Sequence, residues 1–257
     1  MKRIVLAIIA KIPYPLIDNI SHLMLKLLGV GRIPTIQEEI KFLGMLASDL
    51  GEFVFLDIGA NEGFYSLEFS RRFPNISIYA FEPGSTAFSI LKTKTHNTRI
   101  SCINRGIGEK ATTLDLYYDF SGSGLASLSQ RNLSHMNIDF NLKETISIVT
   151  LDEWLIDNKI LEKVVIKMDI EGHEFFALKG ASEALKTKIQ LIQFEFGGAN
   201  IDSKTYFIDL WNLLNLDYDI FKLTSNGLRL VKNYSENCEF FLNTTYYAKR
   251  KAKHLFH

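Results

Sequence analysis

The stretch that decides the fold is Val54-Phe-Leu-Asp-Ile-Gly-Ala-Asn-Glu-Gly-Phe-Tyr-Ser66, followed after a short interval by Tyr79-Ala-Phe-Glu-Pro83. An apolar strand leads into two glycines, Gly59 and Gly63, which allow the backbone to turn tightly and to pass close to a ligand. A second apolar run delivers Glu82 to the position where ribose hydroxyls lie in nucleoside-binding turns. The pattern predicts a strand, a turn and a helix that together bind a nucleoside.

Strands and helices alternate on both sides of this stretch. The alternation predicts an α/β fold with a doubly wound, Rossmann-like sheet that is mostly parallel. Two strands near the C-terminus, 218–223 and 239–248, have no helical pattern between them, which predicts an antiparallel hairpin at one sheet edge. The other predicted core strands are 53–58, 76–81, 99–104, 163–169 and 189–196, and the predicted helices are 63–72, 85–95, 173–186 and 204–214.

The composition indicates one neutral globular domain. The chain has 257 residues, 47% of them apolar, which is enough for one sizeable core. Lys plus Arg and Asp plus Glu number 29 each, so we expect small-molecule or glycan partners and no nucleic acid. Cys102 and Cys238 lie in apolar runs without metal-ligand spacing, which favours reduced core thiols and a cytoplasmic location.

Three segments are expected along the chain. Residues 1–50 are predicted to form a helical extension packed on the domain, residues 51–250 the domain itself, and residues 251–257 a basic tail. A capping box predicts that one helix of the extension begins at Thr35. The oligomeric state is left open by the sequence.

The N-terminus also carries the pattern of a membrane-associated segment. Residues 1–11 resemble a signal peptide, but Lys11, Pro13 and Pro15 interrupt the apolar run, which is shorter than the ~20 residues that cross a bilayer. The apolar residues within 16–28 recur at helical spacing, which suits packing on the domain and a membrane surface equally. A peripheral contact with the inner membrane surface is therefore an alternative to a packed cap.

The interval 106–150 breaks the alternation and is predicted to be an insertion over the sheet. It contains two expected strands, at 113–118 and 145–149. The stretch Ser121-Gly-Ser-Gly-Leu-Ala-Ser127 between them is rich in glycine and hydroxyl groups. It can be a mobile surface loop or a lid that offers hydroxyl groups to a polyhydroxylated ligand.

The glycine spacing of the first turn distinguishes between nucleosides. A dinucleotide turn has the pattern G-x-G-x-x-G, whereas Gly59 and Gly63 here are separated by Ala-Asn-Glu. The carboxylates of Asp57 and Glu62 would lie where two phosphates must sit, which disfavours a pyrophosphate. A cationic nucleoside without phosphates, S-adenosylmethionine, fits better. The expected cofactor-binding residues are Asp57, Gly59, Asn61, Gly63 and Glu82.

These residues resemble the FkbM-type family of class I S-adenosylmethionine-dependent methyltransferases. The resemblance runs from about Phe53 to Gly180 and more weakly to the C-terminus. Its further carriers are Phe81-Glu-Pro83, Thr150-Leu-Asp152 and Ile166-Lys-Met-Asp-Ile-Glu-Gly-His-Glu174. The resemblance implies a seven-stranded class I methyltransferase sheet whose last hairpin is antiparallel. It also implies O-methylation of a sugar hydroxyl in a glycan, a glycolipid or a secondary metabolite.

The chemistry is expected where the fourth core strand ends, because ligands of open α/β sheets bind outside the carboxyl ends of the strands. His173 is the candidate general base, with Asp169 orienting it or acting itself, and Glu171 is the third candidate catalytic residue. Glu171, and still more Glu174, can instead be carboxylates that cap backbone amides. His173 can equally be an exposed residue without a chemical role. Lys167 is expected on the opposite face of its strand, in a structural ion pair.

Two alternatives concern the metal and the function. Glu195 on the next strand could join Asp169, Glu171 and His173 around a magnesium ion, but the spacing is not diagnostic and we expect no metal. A methyltransferase acting on nucleic acid or protein is disfavoured by the absence from the sequence of a base-clamping motif and of a basic patch, whereas methylation of another small molecule stays open as an alternative. A non-catalytic module that retains the fold is the third possibility.

Overall fold

The computed structural model describes residues 13–252, and its centre is an eight-stranded sheet. The expectations for residues 1–11 and for the end of the basic tail therefore lie outside the described residues. The strands of the sheet are β1 (Phe53–Ile58), β2 (Ser77–Phe81), β3 (Ile100–Ile103), β7 (Lys163–Met168), β8 (Ile189–Phe196), β9 (Tyr218–Thr224), β10 (Gly227–Leu230) and β11 (Thr244–Arg250).

The strand order is β10-β9-β11-β8-β7-β1-β2-β3. Five neighbouring strands of this sheet, β8, β7, β1, β2 and β3, are parallel to one another. Strand β11 is antiparallel to both β8 and β9. The predicted α/β class with a mostly parallel sheet and antiparallel C-terminal strands is confirmed. The last strand, however, lies inside the sheet, and β10 is an eighth strand where the resemblance implies seven. Gly227 has φ +98°, which lets the chain reverse directly after β9 and place β10 at the edge.

Helices cover both faces of the sheet, as the alternation predicts. One predicted helix, 173–186, is wrong as a single element because the chain breaks at Gly180. A Cβ at Gly180 would lie 2.0 Å from the carbonyl oxygen of Gly108, and the Asp152 carboxylate accepts the amides of Glu183 and Ala184 to start a new helix. The helices are α1 (Tyr14–Leu27), α2 (Ile36–Ala47), α3 (Phe64–Arg72), α4 (Ser85–Lys94), α5 (Leu151–Asp157), α6 (Glu174–Lys179), α7 (Ser182–Thr187), α8 (Ala199–Ser203) and α9 (Phe207–Leu214).

Two hydrophobic cores separate the faces of the sheet. On one face Leu56 of β1 packs with side chains of α5, α6, α7 and α9. On the other face Phe55 stacks on Phe69 of α3, and Ile40 and Leu43 of α2 pack into the same cluster. The helix predicted from Thr35 is thus part of the domain core. Helix α1 differs, because none of its residues is buried.

The insertion forms a second, three-stranded sheet of β4 (Gly106–Ile107), β6 (Leu142–Val149) and β5 (Thr112–Tyr118), in that order. Leu116, Ile146 and Ile148 make a small apolar cluster on it. The two cysteines are free thiols and half-buried. Within residues 13–252, no helix combines the length and apolar character that crossing a membrane requires.

Candidate functional site

A cavity of about 280 Å³ opens at the carboxyl ends of β1, β2 and β7. This is the end of an open α/β sheet at which ligands bind, and the volume is close to the lower limit of ordinary small-molecule pockets. Its wall combines the turn after β1, the end of β2, the turn after β7, the insertion, and two residues of α2, Ile36 and Glu39.

The turn after β1 depends on glycine because two strands converge there. Gly59 has φ +80°, and a Cβ on it would lie 2.0 Å from the carbonyl oxygen of Asp169. Gly63 has φ +85° and would bring a Cβ within 2.5 Å of Leu91. Asn61 also adopts a positive φ, +48°, as Asn tolerates better than most residues. The predicted cofactor residues Gly59 and Asn61 line the cavity, whereas Gly63 lies outside its wall and lets α3 begin against α4.

Glu82, at the end of β2, faces the same cavity and is held in one orientation. Its carboxylate accepts the backbone amides of Asn61 at 2.9 Å and Gly84 at 2.8 Å. The side chain is buried, and burial raises the pKa of Glu82 to about 7. Each oxygen keeps a lone pair for a ligand hydroxyl, so the position predicted from the sequence can accept hydrogen bonds from a ribose.

Asp57 does not reach the cavity wall. It is fully buried, accepts the hydroxyl of Ser66 at 2.7 Å, and lies 3.3 Å from the ammonium of Lys167. Lys167 also donates to the carbonyl of Gly59 and lies 3.7 Å from Asp169. The expectation that Lys167 lies on the opposite face is wrong, because residues two apart on a strand share a face and Lys167 therefore lines the cavity with Asp169.

Opposing effects act on the pKa of Lys167. Burial would lower it, but the neighbouring carboxylates of Asp57, Asp169 and Glu39 raise the pKa above its usual range, so the ammonium stays charged. A positive group is thereby fixed beneath the cavity, with Asp57 as its buried counter-ion.

The turn after β7 brings Asp169, Glu171 and His173 to one side of the cavity. The Asp169 side chain is 46% exposed and so is free to meet a ligand. Burial lowers the pKa of His173 to about 4, which keeps the imidazole neutral at pH 7. Although both residues line the cavity, no hydrogen bond joins Asp169 to His173 among the described contacts, so the structure shows no orienting contact between them.

Glu171 and Glu174 have different roles in this turn. Glu171 has φ +51°, and its carboxylate accepts from Arg131 at 2.7 Å. Burial, reinforced by the charge of Asp169 and opposed by Arg131, raises the pKa of Glu171 to about 7. Glu174 is fully buried and accepts the amides of Ile170 and Gly172, which is the capping role expected for it.

The insertion covers the cavity. Ser123, Gly124, Ala126 and Leu128 line it. The hydroxyl of Ser127 donates to the carbonyl of Glu171 at 2.8 Å, next to the Arg131 ion pair described above. Of the two interpretations of this glycine- and serine-rich stretch, its position over the cavity favours a lid.

The sequence prediction missed Glu39 of α2. Its carboxylate is partly buried near Lys167 and Asp169, and Thr245 donates to it at 3.3 Å. Burial raises the pKa of Glu39 to about 7. A signal for it existed, because Glu39 falls on the apolar stripe of its helix, three residues after Ile36 and one before the buried Ile40.

Glu195, the additional candidate, lies on β8 outside the cavity wall. Burial, together with the charges of Asp169 and Glu171, raises the pKa of Glu195 to about 9. In the part of the chain that the structure describes, no three or more His, Cys, Asp or Glu side chains are arranged to hold a metal ion. The cavity wall itself carries five carboxylates, those of Glu39, Glu62, Glu82, Asp169 and Glu171, against the two cations Arg105 and Lys167.

Comparison with known proteins gives a consistent set of similarities. The family model described as the Methyltransferase FkbM domain matches residues 57–220. Methyltransferase sdnD of Sordaria araneosa is 27% identical over 50% of this chain and 60% of that protein. Hexuronic acid methyltransferase AglP of Haloferax volcanii is 26% identical over 52% of each chain. The chain thus spans little more than half the length of the curated relatives it matches.

Among solved structures, the methyltransferase FkbM from Methylobacillus flagellatus KT superposes with a TM-score of 0.46 and 20% identity, over 77% of this chain and 43% of that chain. A protein from Klebsiella pneumoniae named a putative O-methyltransferase superposes with a TM-score of 0.48 and 10% identity, over 96% of this chain and 94% of that chain.

Proposed function

The chain belongs to the FkbM methyltransferase family, and from this premise we propose that it transfers a methyl group from S-adenosylmethionine to a hydroxyl oxygen of a sugar. The family model spans the domain from β1 to β9 and includes both turns that form the cavity. The observation that carries the proposal is that the Gly59 turn, the Glu82 carboxylate and the acidic end of β7 meet in one and the same cavity.

The charge of the cavity favours this donor over a dinucleotide. S-adenosylmethionine carries a sulfonium and an ammonium but only one carboxylate, and five carboxylates line the wall. A pyrophosphate would bring further negative charge to a wall that already carries these carboxylates, of which Glu62 is paired with Lys94. Glu82 would accept the ribose hydroxyls, while Lys167 offers the ammonium that the methionine carboxylate needs.

Methyl transfer needs alignment more than covalent participation by the protein. The acceptor oxygen attacks the methyl carbon in line with the sulfur, the carbon–sulfur bond breaks, and its electron pair remains on sulfur as S-adenosylhomocysteine forms. The hydroxyl proton must leave to a base. His173 can accept it because its imidazole lines the cavity and is neutral, although burial also weakens it as a base, and Asp169 is the alternative because its carboxylate is exposed to the cavity.

The acceptor class rests on two supports. The lid and the end of β7 present hydrogen-bonding groups of Ser123, Asp169 and Glu171 to the cavity, which suits a polyhydroxylated ligand. The relative from Haloferax volcanii is a hexuronic acid methyltransferase. A carboxylated sugar would find a counter-charge in the exposed Arg105 at the cavity wall.

Calorimetric titration of the protein with S-adenosylmethionine and, separately, with NAD tests the donor. We expect binding of the first only, and binding of NAD alone would overturn the proposal. With a sugar acceptor, Asp169→Ala or His173→Ala should lower turnover about 10² to 10⁴-fold, the usual contribution of a general base. His96→Ala is the matched control, because His96 is exposed and does not line the cavity. Full activity in both cavity variants would refute the catalytic assignment.

A further inference from the structure

Helix α1 presents a row of large apolar side chains to solvent. Leu16, Ile20, Leu23, Met24 and Leu27 are each 42–58% exposed. They recur at the spacing of one helical face, whereas Asp18, His22 and Lys26 lie on the other side. A soluble helix normally turns such a face towards the core, and exposed apolar patches of this kind mark interaction sites.

The connection after α1 explains why this face stays exposed. The amide of Gly31 donates to the carbonyl of Asn243, and the amide of Ser225 donates to the carbonyl of Leu27. Gly29 has φ +84° and packs so closely on the carbonyl of Leu223 that a Cβ would lie 1.9 Å from that oxygen. The end of α1 is thereby fixed on the antiparallel side of the sheet, while about half of the surface of each apolar side chain in this row stays exposed in the part of the chain that the structure describes.

The charge of this segment identifies the partner. Residues 1–35 contain five basic residues and one acidic residue, although the whole chain is neutral. The sequence before α1 adds a run of seven apolar residues at 4–10, flanked by Lys2, Arg3 and Lys11. Apolar residues combined with local basic charge suit the headgroup and acyl boundary of an anionic bilayer, since both contributions strengthen binding there.

We propose that α1 lies in the surface of an anionic lipid membrane, with the face formed by Leu16, Leu23 and Leu27 buried at the acyl boundary. This goes beyond the methyl transfer proposed above and does not depend on it. Only eight residues separate the end of α1 from helix α2, which contributes Ile36 and Glu39 to the cavity wall. A membrane-bound α1 therefore holds the cavity close to the lipid surface, where a lipid-linked acceptor would be presented.

Flotation with vesicles tests this with the full chain. The vesicles contain phosphatidylcholine alone or equal parts of phosphatidylcholine and phosphatidylglycerol. We expect the protein to float with the anionic vesicles and to be released by high salt. The triple variant Leu16→Ser, Leu23→Ser and Leu27→Ser should bind them at least tenfold more weakly.

The matched control is the triple variant Ile156→Ser, Leu161→Ser and Leu216→Ser, which removes three apolar side chains that are 74–84% exposed elsewhere. It should bind anionic vesicles as the unaltered protein does. Because neither set is buried, both variants should unfold in urea near the unaltered midpoint, which checks folding. Equal vesicle binding by both variants would overturn the proposal. Failure of the unaltered protein to float would also overturn the proposal. If sedimentation then shows a dimer for the unaltered protein and a monomer for the α1 variant, the face binds a second copy of the chain instead of a membrane.

Discussion

Replacement of Gly59 by alanine tests whether the turn after β1 is set by the close approach of two strands. In the structure Gly59 combines φ +80° with a hypothetical Cβ only 2.0 Å from the carbonyl oxygen of Asp169. A backbone atom cannot rotate away as a flexible side chain can. Gly51 provides the matched control, because it also has a positive φ, +71°, but a Cβ on it would have no atom within 4 Å.

The two positions separate the conformational cost from the steric cost. An L-residue in the left-handed region costs about 1–2 kcal/mol, which applies to Gly51→Ala and Gly59→Ala alike. Overpacking adds roughly 1–3 kcal/mol, and it applies only at Gly59. We therefore expect the free energy of unfolding to fall by about 1–2 kcal/mol in Gly51→Ala and by about 2–5 kcal/mol in Gly59→Ala.

Urea unfolding of both variants measures this difference, and calorimetry measures the consequence for the donor. To admit a methyl group, Gly59 must move away from Asp169, which shifts Asn61 relative to Glu82. Affinity for S-adenosylmethionine should then fall at least tenfold in Gly59→Ala and stay unchanged in Gly51→Ala. If the two variants lose equal stability, the strands do not constrain the turn and the reasoning is refuted.

Three further outcomes are expected. Burial raises the pKa of Glu195 to about 9 and that of Glu174 to about 8, so between pH 7 and 9 the folded state binds more protons than the unfolded state, and the free energy of unfolding should rise as the pH falls from 9 to 7. Glu195→Gln should remove the contribution of Glu195, about 2 kcal/mol, and so reduce the slope in urea titrations; an unchanged slope would contradict the burial argument. Glu39→Gln should weaken binding of the cationic donor about tenfold at pH 8, which calorimetry would measure. Glu38→Gln is the control, because Glu38 lies on the same helix but outside the cavity wall, and it should not weaken binding. Equal effects of the two variants would exclude a direct role of Glu39 in donor binding. Arg131→Met removes the ion pair between the lid and Glu171, so it should speed proteolysis within 121–134. Lys143→Met, which breaks an exposed ion pair of the same insertion, should leave the cleavage rate unchanged, and equal rates in the two variants would argue against a role of Arg131 in holding the lid on the cavity.

The elements that the sequence predicted best are those with strong local periodicity. Strands β1 and β8 begin and end where their apolar runs do, and α2 begins at the Thr35 cap, whose hydroxyl accepts the amide of Glu38. The break between α6 and α7 was missed because its cause, the approach of Gly180 to Gly108, joins residues 72 positions apart. Long-range contacts of this kind leave no local pattern to detect.

The same distinction applies to the candidate site. Gly59 and Glu82 could be assigned because turn and strand chemistry fix them locally. Asp57 belongs to the same motif, yet it is buried against Ser66 and against Lys167, its register partner on β7. Lys167 in turn replaces it at the cavity wall. Which of these two paired residues meets a ligand thus depends on contacts between strands that are far apart in sequence, which the sequence pattern alone does not give.

The cavity also depends on segments outside residues 57–220, the part that the family model matches. Glu39 enters from α2, and β11 holds that helix, because Thr245 donates to the Glu39 carboxylate and Tyr247 donates to its backbone carbonyl. The donor would therefore bind within residues 57–220, whereas α2 completes the wall from outside this range. The two contacts between β11 and Glu39 hold α2 in place. Substitutions in α2 or β11 can alter the cavity without disturbing the Gly59 turn, so ligand selectivity can change at Glu39 while the geometry at Glu82 is kept.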